Sequence, residues 1–155
     1  MEHVHVESFK VIGVPVRTSD KFGKSIVDAG ITWFNFEKND LYQKIPNKTS
    51  DYIYIVDTDH EEGNLGEYTI VIGCAVSSFD SIPEGMVGKD VPSGYYTKYT
   101  VQGRATGEIV EKWKEIWKKD AENPRKYSTD FAIYKGKYPF DLGNIEGEIY
   151  IAESK

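Results

Sequence analysis

The chain has 155 residues, a formal net charge of -6, a pI near 5.1 and 14% aromatic residues, including eleven Tyr, seven Phe and three Trp. That length suffices for one domain with its own core, and the acidic balance excludes a nucleic-acid surface, which needs a net basic patch. The single Cys74 excludes an internal disulfide, and with no leader-like or long apolar run the expectation is a cytoplasmic protein making no membrane contact.

The opening residues Glu2 to Glu7 alternate valines with His3 and His5 and read as an edge strand or a frayed end. Two histidines at i, i+2 share a strand face, but no third ligand lies nearby, so no metal is expected. Phe9 to Arg17 reads as a strand, with Gly13 and Pro15 bending it or marking an edge. Thr18, Ser19 and Asp20 are cap candidates for a first helix over residues 21–38, with apolar residues Ile26, Val27, Gly30, Trp33 and Phe34 on one stripe. Strands follow at Tyr52 to Val56 and Tyr68 to Val76, joined by a polar hairpin loop, residues 57–64. Residues 77–93, with Pro83, Gly85, Gly88 and Pro92, read as a connector.

A tyrosine-rich strand, Gly94 to Gly103, opens the second part. Thr106 is the expected cap of a second helix over residues 106–120, whose stripe is Ile109, Val110, Trp113, Ile116 and Trp117, with Asn123 and Pro124 stopping it. Strands at Asp130 to Lys135 and Glu148 to Ala152 complete the chain.

The two helices carry their stripes at identical offsets, Ile26 answering Ile109, Gly30 answering Trp113 and Phe34 answering Trp117. The strands around residues 51–55 and 66–70 likewise answer those around 130–134 and 147–151. The spacing therefore predicts an internal duplication within one domain spanning residues 1–155, with pseudo-repeats at about 5–80 and 90–153. Each repeat is a strand, one amphipathic helix and two strands. The fold class is α+β: duplicated βαββ halves related by a pseudo-twofold, an antiparallel sheet with both long helices on one face and a cleft between them. Gly30, standing where Trp113 stands in the other half, should make that cleft lopsided.

The run from Ile31 to Phe36 ahead of Ile45, Pro46 and Asn47, the stretch Ile82 to Gly85, the strand with Tyr95, Tyr96, Tyr99 and Gly103, the Trp113/Trp117 helix and the closing Glu148 to Ile151 resemble the gyrase-inhibitor-like (GyrI-like) effector-binding domain. That module also occurs at the end of AraC-type and MerR-type multidrug-responsive activators and in integron cassette proteins. The resemblance implies a stand-alone module that binds bulky aromatic or cationic hydrophobic compounds and is linked to transcriptional regulation or compound sequestration. It covers essentially the whole chain. The family's pocket strand reads Phe-Glu-x-Tyr; here it reads Phe131, Ala132, Ile133, Tyr134, so the glutamate position is Ala132. An alanine there implies a cleft preferring neutral aromatic ligands, with Asp130, Glu146 or Glu148 as substitute acids if cations bind, and Ala132→Glu as the change that restores cation preference.

The candidate ligand-binding residues are Trp33, Phe34, Tyr54, Tyr96, Trp113, Trp117, Ala132, Tyr134 and Tyr150. Their competing role is plain core packing, and strand parity can turn any of the tyrosines outward. No catalytic residue and no cofactor is expected, since no Gly-x-Ser-x-Gly turn, phosphate loop or His-x-x-x-His helix is present and Cys74 sits in an apolar strand. Two other classes stand beside the binding module: a hydrolase of strained electrophiles and a protein-protein adaptor such as a gyrase modulator. The expected partners are a small hydrophobic or cationic aromatic ligand and a regulatory protein.

Overall fold

A computed structural model describes residues 1–61, 65–123, 125, 127–136 and 141–153. The chain runs through β1 (Glu2–Val6), β2 (Phe9–Thr18), α1 (Lys24–Lys38), the short α2 (Leu41–Lys44), β3 (Ile53–Thr58), β4 (Tyr68–Val76), β5 (Val87–Val91), β6 (Gly94–Gly103), α3 (Val110–Glu122), β7 (Asp130–Lys135) and β8 (Ile145–Ala152). The strands form one antiparallel sheet of order β1-β6-β8-β7-β3-β4-β2-β5. That order reads the same from either end once β1, β6, β7 and β8 are matched with β5, β2, β3 and β4. The duplicated βαββ plan is thus written into the topology, with β3 and β7 as its central pair.

The sheet is curled, for a reason visible in the connections. Only Glu7 and Ser8 separate β1 from β2, and only Pro92 and Ser93 separate β5 from β6, yet each link joins opposite ends of the sheet. Two intervening residues reach about 11 Å at most, so the ends must come together. The helix-free face becomes the inside of the curl, where Val4 and Val6 from one end and Val87 and Val91 from the other meet Tyr96 and Phe131. Where β2 and β4 cross, Gly13 opposes Gly73, and a Cβ on Gly73 would lie 1.9 Å from the Ile12 carbonyl oxygen, so neither position tolerates a side chain.

Both long helices pack on the other face. Ala29, Trp33 and Phe36 of α1 join Ile12, Ile70 and Ile72, while Trp113 and Ile116 of α3 join Ala132, Ile149 and Ile151. The stripe of α1 is rotated from the expected one: Ser25, Thr32 and the fully buried Phe36 face inward, leaving Val27, Ile31 and Phe34 exposed. Phe36 is the largest side chain on that helix that the core can enclose completely, and it sets the rotation.

Other boundaries differ from the sequence reading for local reasons. The opening segment is a strand held along β6, and the expected connector contains β5, an edge strand paired with β2 after a turn at Pro83 to Met86 in which Gly85 adopts φ +82. Residues 21–23 form a single 3-10 turn, with Phe22 at φ 53 and Gly23 at φ 72, so α1 starts at Lys24. Ahead of α3, Ala105–Ile109 wind as a π-helical turn. Thr106 is not its cap: the Glu108 carboxylate reaches back and accepts the Arg104 backbone N–H at 2.8 Å. Pro124, residues 62–64 of the expected hairpin loop and residues 137–140 ahead of β8 lie outside the described residues.

Candidate functional site

The central strand pair sets Asp57 of β3 directly opposite Asp130 of β7. Alternation puts Asp57 on the same face as Ile53 and Ile55, and Asp130 on the same face as Ala132 and Tyr134, so both carboxyls point to the helix side. Like charges directly opposed across strands repel, and the surroundings resolve this unequally. Asp130, 2% exposed, accepts two hydrogen bonds from the Arg125 guanidinium, at 2.7 and 3.3 Å, and one from the Ala152 backbone N–H at 2.8 Å. Arg125 Nε donates to Asp120 at 3.0 Å. Asp57 accepts no hydrogen bond among the described residues. Burial, then the nearby Asp130 and Asp20, pushes its carboxyl well above the usual range, opposed only in part by Arg125.

Around this pair lies a cavity walled by Trp113, Ile116, Trp117 and Asp120 of α3, at i, i+3, i+4 and i+7, and by Asp20, His60, Tyr68, Arg125 and Tyr127. Burial also raises Asp20, the acceptor of a hydrogen bond from the Tyr68 hydroxyl. His60 stacks between Tyr68 and Tyr127, with centroids at 5.0 and 5.4 Å, and Arg125 lies 4.3 Å from the Tyr127 ring centre. The His60 Nδ1–H donates to the Ser128 carbonyl at 2.7 Å, and burial lowers its pKa, leaving a neutral ring. The result is a column of rings ending on a guanidinium, beside four aspartates.

The cavity holds about 20 Å³, the room of a single water. Next to it is an open hollow of about 350 Å³, lined by Thr97, Tyr99, Lys119 and Ile151 among others and sharing Ile116, Asp120 and Arg125 with the cavity. α1 supplies no wall residue; only Asp20, preceding it, takes part, so the cleft lies against α3. Gly30, expected to face the cleft, is exposed on the rotated helix and does not shape it.

Of the residues singled out from sequence, Trp113 and Trp117 line the cavity, 6.3 Å apart between ring centres. Ala132 lies beneath Trp113 and Ile116 at 1% exposure. Trp33 and Tyr134 meet at 5.8 Å in the adjoining core, where the Trp33 Nε1 has no hydrogen-bond partner among the described residues. Phe34 is 55% exposed, with Lys38 over its ring. Tyr54, Tyr96 and Tyr150 sit on the inside of the curl, away from the cavity, because their strand parity opposes that of Ile53, Tyr99 and Ile149. There Tyr150 stacks on Phe131 at 4.5 Å, and the Tyr96 hydroxyl donates to the Pro92 carbonyl. Among the substitute acids, Asp130 is in the cavity and Glu146 is exposed. Glu148 is on the inner face, within 3.2 Å of Lys98 and 3.4 Å of Lys135 and accepting the Tyr150 hydroxyl at 2.8 Å. Burial alone would raise its pKa, but these partners hold it below the ordinary value. Asp57, His60, Tyr68, Asp120, Arg125 and Tyr127 are not among the candidates read from the sequence, and Asp20 is read there only as a helix cap, although the parity of Ile53 and Ile55 already aims Asp57 at the helices.

YobU of Bacillus subtilis (strain 168), whose name proposes a role in transcriptional regulation, is 29% identical over 104 residues, a match spanning 66% of this chain but 65% of that protein, just under two thirds of its length. The chain is similar in structure to an integron cassette protein, VCH_CASS2, from the mobile metagenome of Vibrio cholerae, with TM-score 0.74, 26% identity and coverage of 97% of this chain and 94% of that one. It shares a fold with SAV2435, solved bound to tetraphenylphosphonium, with TM-score 0.77, 12% identity and coverage of 97% and 91%. Among the described residues no helix is long and apolar enough to cross a membrane. The family model for the integron-associated effector binding protein, Cass2, matches residues 3–152, and the chain belongs to that family.

Proposed function

We propose that this protein is an effector-binding module whose cleft, beneath Trp113 and Trp117, takes a bulky aromatic organic cation. The observation that carries this reading is the opposed pair Asp57 and Asp130 under an aromatic wall. A carboxylate drawn out of water is costly unless paired, and Asp57, half-buried and lacking a hydrogen-bonded partner among the described residues, has its pKa pushed well above the ordinary value. An arriving cation supplies the missing charge, lets Asp57 ionise, and rests on rings that each contribute about 0.5–2 kcal/mol to cation binding. Ala132 does not remove this acidity, because Asp57 and Asp130 supply it from the same face. Trp33 and Tyr134, packed beside the cavity, form a second layer that the ligand reaches only if the cleft widens. Occupancy is read out through a regulatory partner chain or acts by sequestering the compound.

The test compares tetraphenylphosphonium with neutral triphenylphosphine oxide by thermal shift. At about 100 times its dissociation constant the cation should stabilise the wild type by about 2.7 kcal/mol, and Asp57→Asn should lose most of that shift while its response to the oxide is unchanged. Equal responses of the wild type to both compounds would defeat the reading.

A further inference from the structure

Resting on that reading of the cleft, we infer that Arg125 is an internal cation that occupies and partitions the site, and that ligand binding is an exchange: the guanidinium swings out as the ligand's cation takes its place beside Asp120 and Asp130.

The guanidinium already makes the contacts an organic cation would need. It bridges two carboxylates, at 2.7 and 3.0 Å, and rests on the Tyr127 ring. It also stands on the boundary of the two spaces. Ile116, Asp120 and Arg125 are the residues common to the cavity of about 20 Å³ and the hollow of about 350 Å³. Ile116 is fixed in the core and Asp120 on a helix, whereas Arg125 lies outside regular secondary structure, with its side chain 14% exposed. It is the member of the partition that can leave. Its departure merges a chamber too small for any organic ligand with a hollow of ordinary ligand size. Asp120 and Asp130 share this arginine as their partner, so its departure leaves two carboxylates that only another cation satisfies. A neutral ligand cannot make that exchange, and Arg125 thereby sets the charge specificity of the site.

The experiment titrates tetraphenylphosphonium and triphenylphosphine oxide calorimetrically into wild type, Arg125→Gln and Arg125→Lys. Removing the internal competitor should tighten phosphonium binding by Arg125→Gln at least about tenfold, the scale of one lost charge-assisted contact, without changing the affinity for the oxide. Arg125→Lys keeps the charge but cannot bridge both carboxylates or lie flat on Tyr127, and should fall between wild type and Arg125→Gln. It decides the matter if circular dichroism finds Arg125→Gln unfolded. A folded Arg125→Gln, or failing that Arg125→Lys, that binds the phosphonium no more tightly than the wild type overturns the exchange while leaving the cleft reading intact. Absence of phosphonium binding by the wild type and both variants overturns the two together.

Discussion

Replacing Asp57 with Asn tests whether the floor of the cleft is held protonated before any ligand arrives. The amide has the shape of the protonated acid and cannot ionise, so the variant keeps the packing and loses only the titration. The folded pKa of Asp57 stands well above its ordinary value of 3.8. Between those two values the native state therefore binds more protons than the unfolded chain, and stability falls as pH rises. Across that window the wild type should lose up to about 1.4 kcal/mol per pH unit relative to Asp57→Asn. In a chain of this size each kcal/mol corresponds to about 2–4 °C in Tm. Glu148, held low, has the opposite sign but is common to the two proteins and cancels in the difference, whereas Asp20 adds the same sign and the difference includes its coupling to Asp57. Calorimetric melts from about pH 3.5 to about pH 8 should therefore start together and diverge, the variant melting higher at neutral pH. Parallel curves, or a variant that melts lower at neutral pH, would mean that Asp57 is ionised and already satisfied by Arg125.

Trp113→Ala should weaken tetraphenylphosphonium binding by more than about 2 kcal/mol while costing no more than about that in urea unfolding, because the ring is only partly buried and walls the cavity. A large stability loss with unchanged affinity would return the ring to the core. Ala132→Glu, which the family pattern alone would favour, should instead lower the unfolding free energy measured in urea by roughly 2–5 kcal/mol, since the new carboxyl is forced under Ile116 and Trp113 without a partner. A variant as stable as the wild type would mean that the space above Ala132 is open.

The parts of this molecule set by short-range periodicity were legible in the sequence. The α3 stripe holds Trp113, Ile116 and Trp117 against the sheet and the cavity, and the repeated order of strand, helix and two strands foretold the duplicated plan, although the residue-by-residue match of the two helices did not hold. The parts set by long-range register were not. Asp57 lies just past the strand expected at Tyr52 to Val56 and reads alone as a turn residue; it becomes a site residue because β3 continues to Thr58 and β7 brings Asp130 opposite it. Tyr54, Tyr96 and Tyr150 are aromatic enough for a pocket, but a one-residue difference in parity sends them inside the curl. The rotation of α1 depended on Phe36 finding complete enclosure, which its stripe of apolar letters does not encode. β5 was hidden because Pro83 and Gly85 announce a turn more loudly than five residues announce an edge strand.

The most direct test of the cleft is a titration of tetraphenylphosphonium followed through the three tryptophan indole N–H signals by two-dimensional NMR, each signal assigned from a Trp→Phe variant. Binding above Asp57 and Asp130 should move Trp113 and Trp117 saturably and together, with a smaller response at Trp33 in the second layer. Saturable binding that leaves Trp113 and Trp117 unmoved would contradict the account.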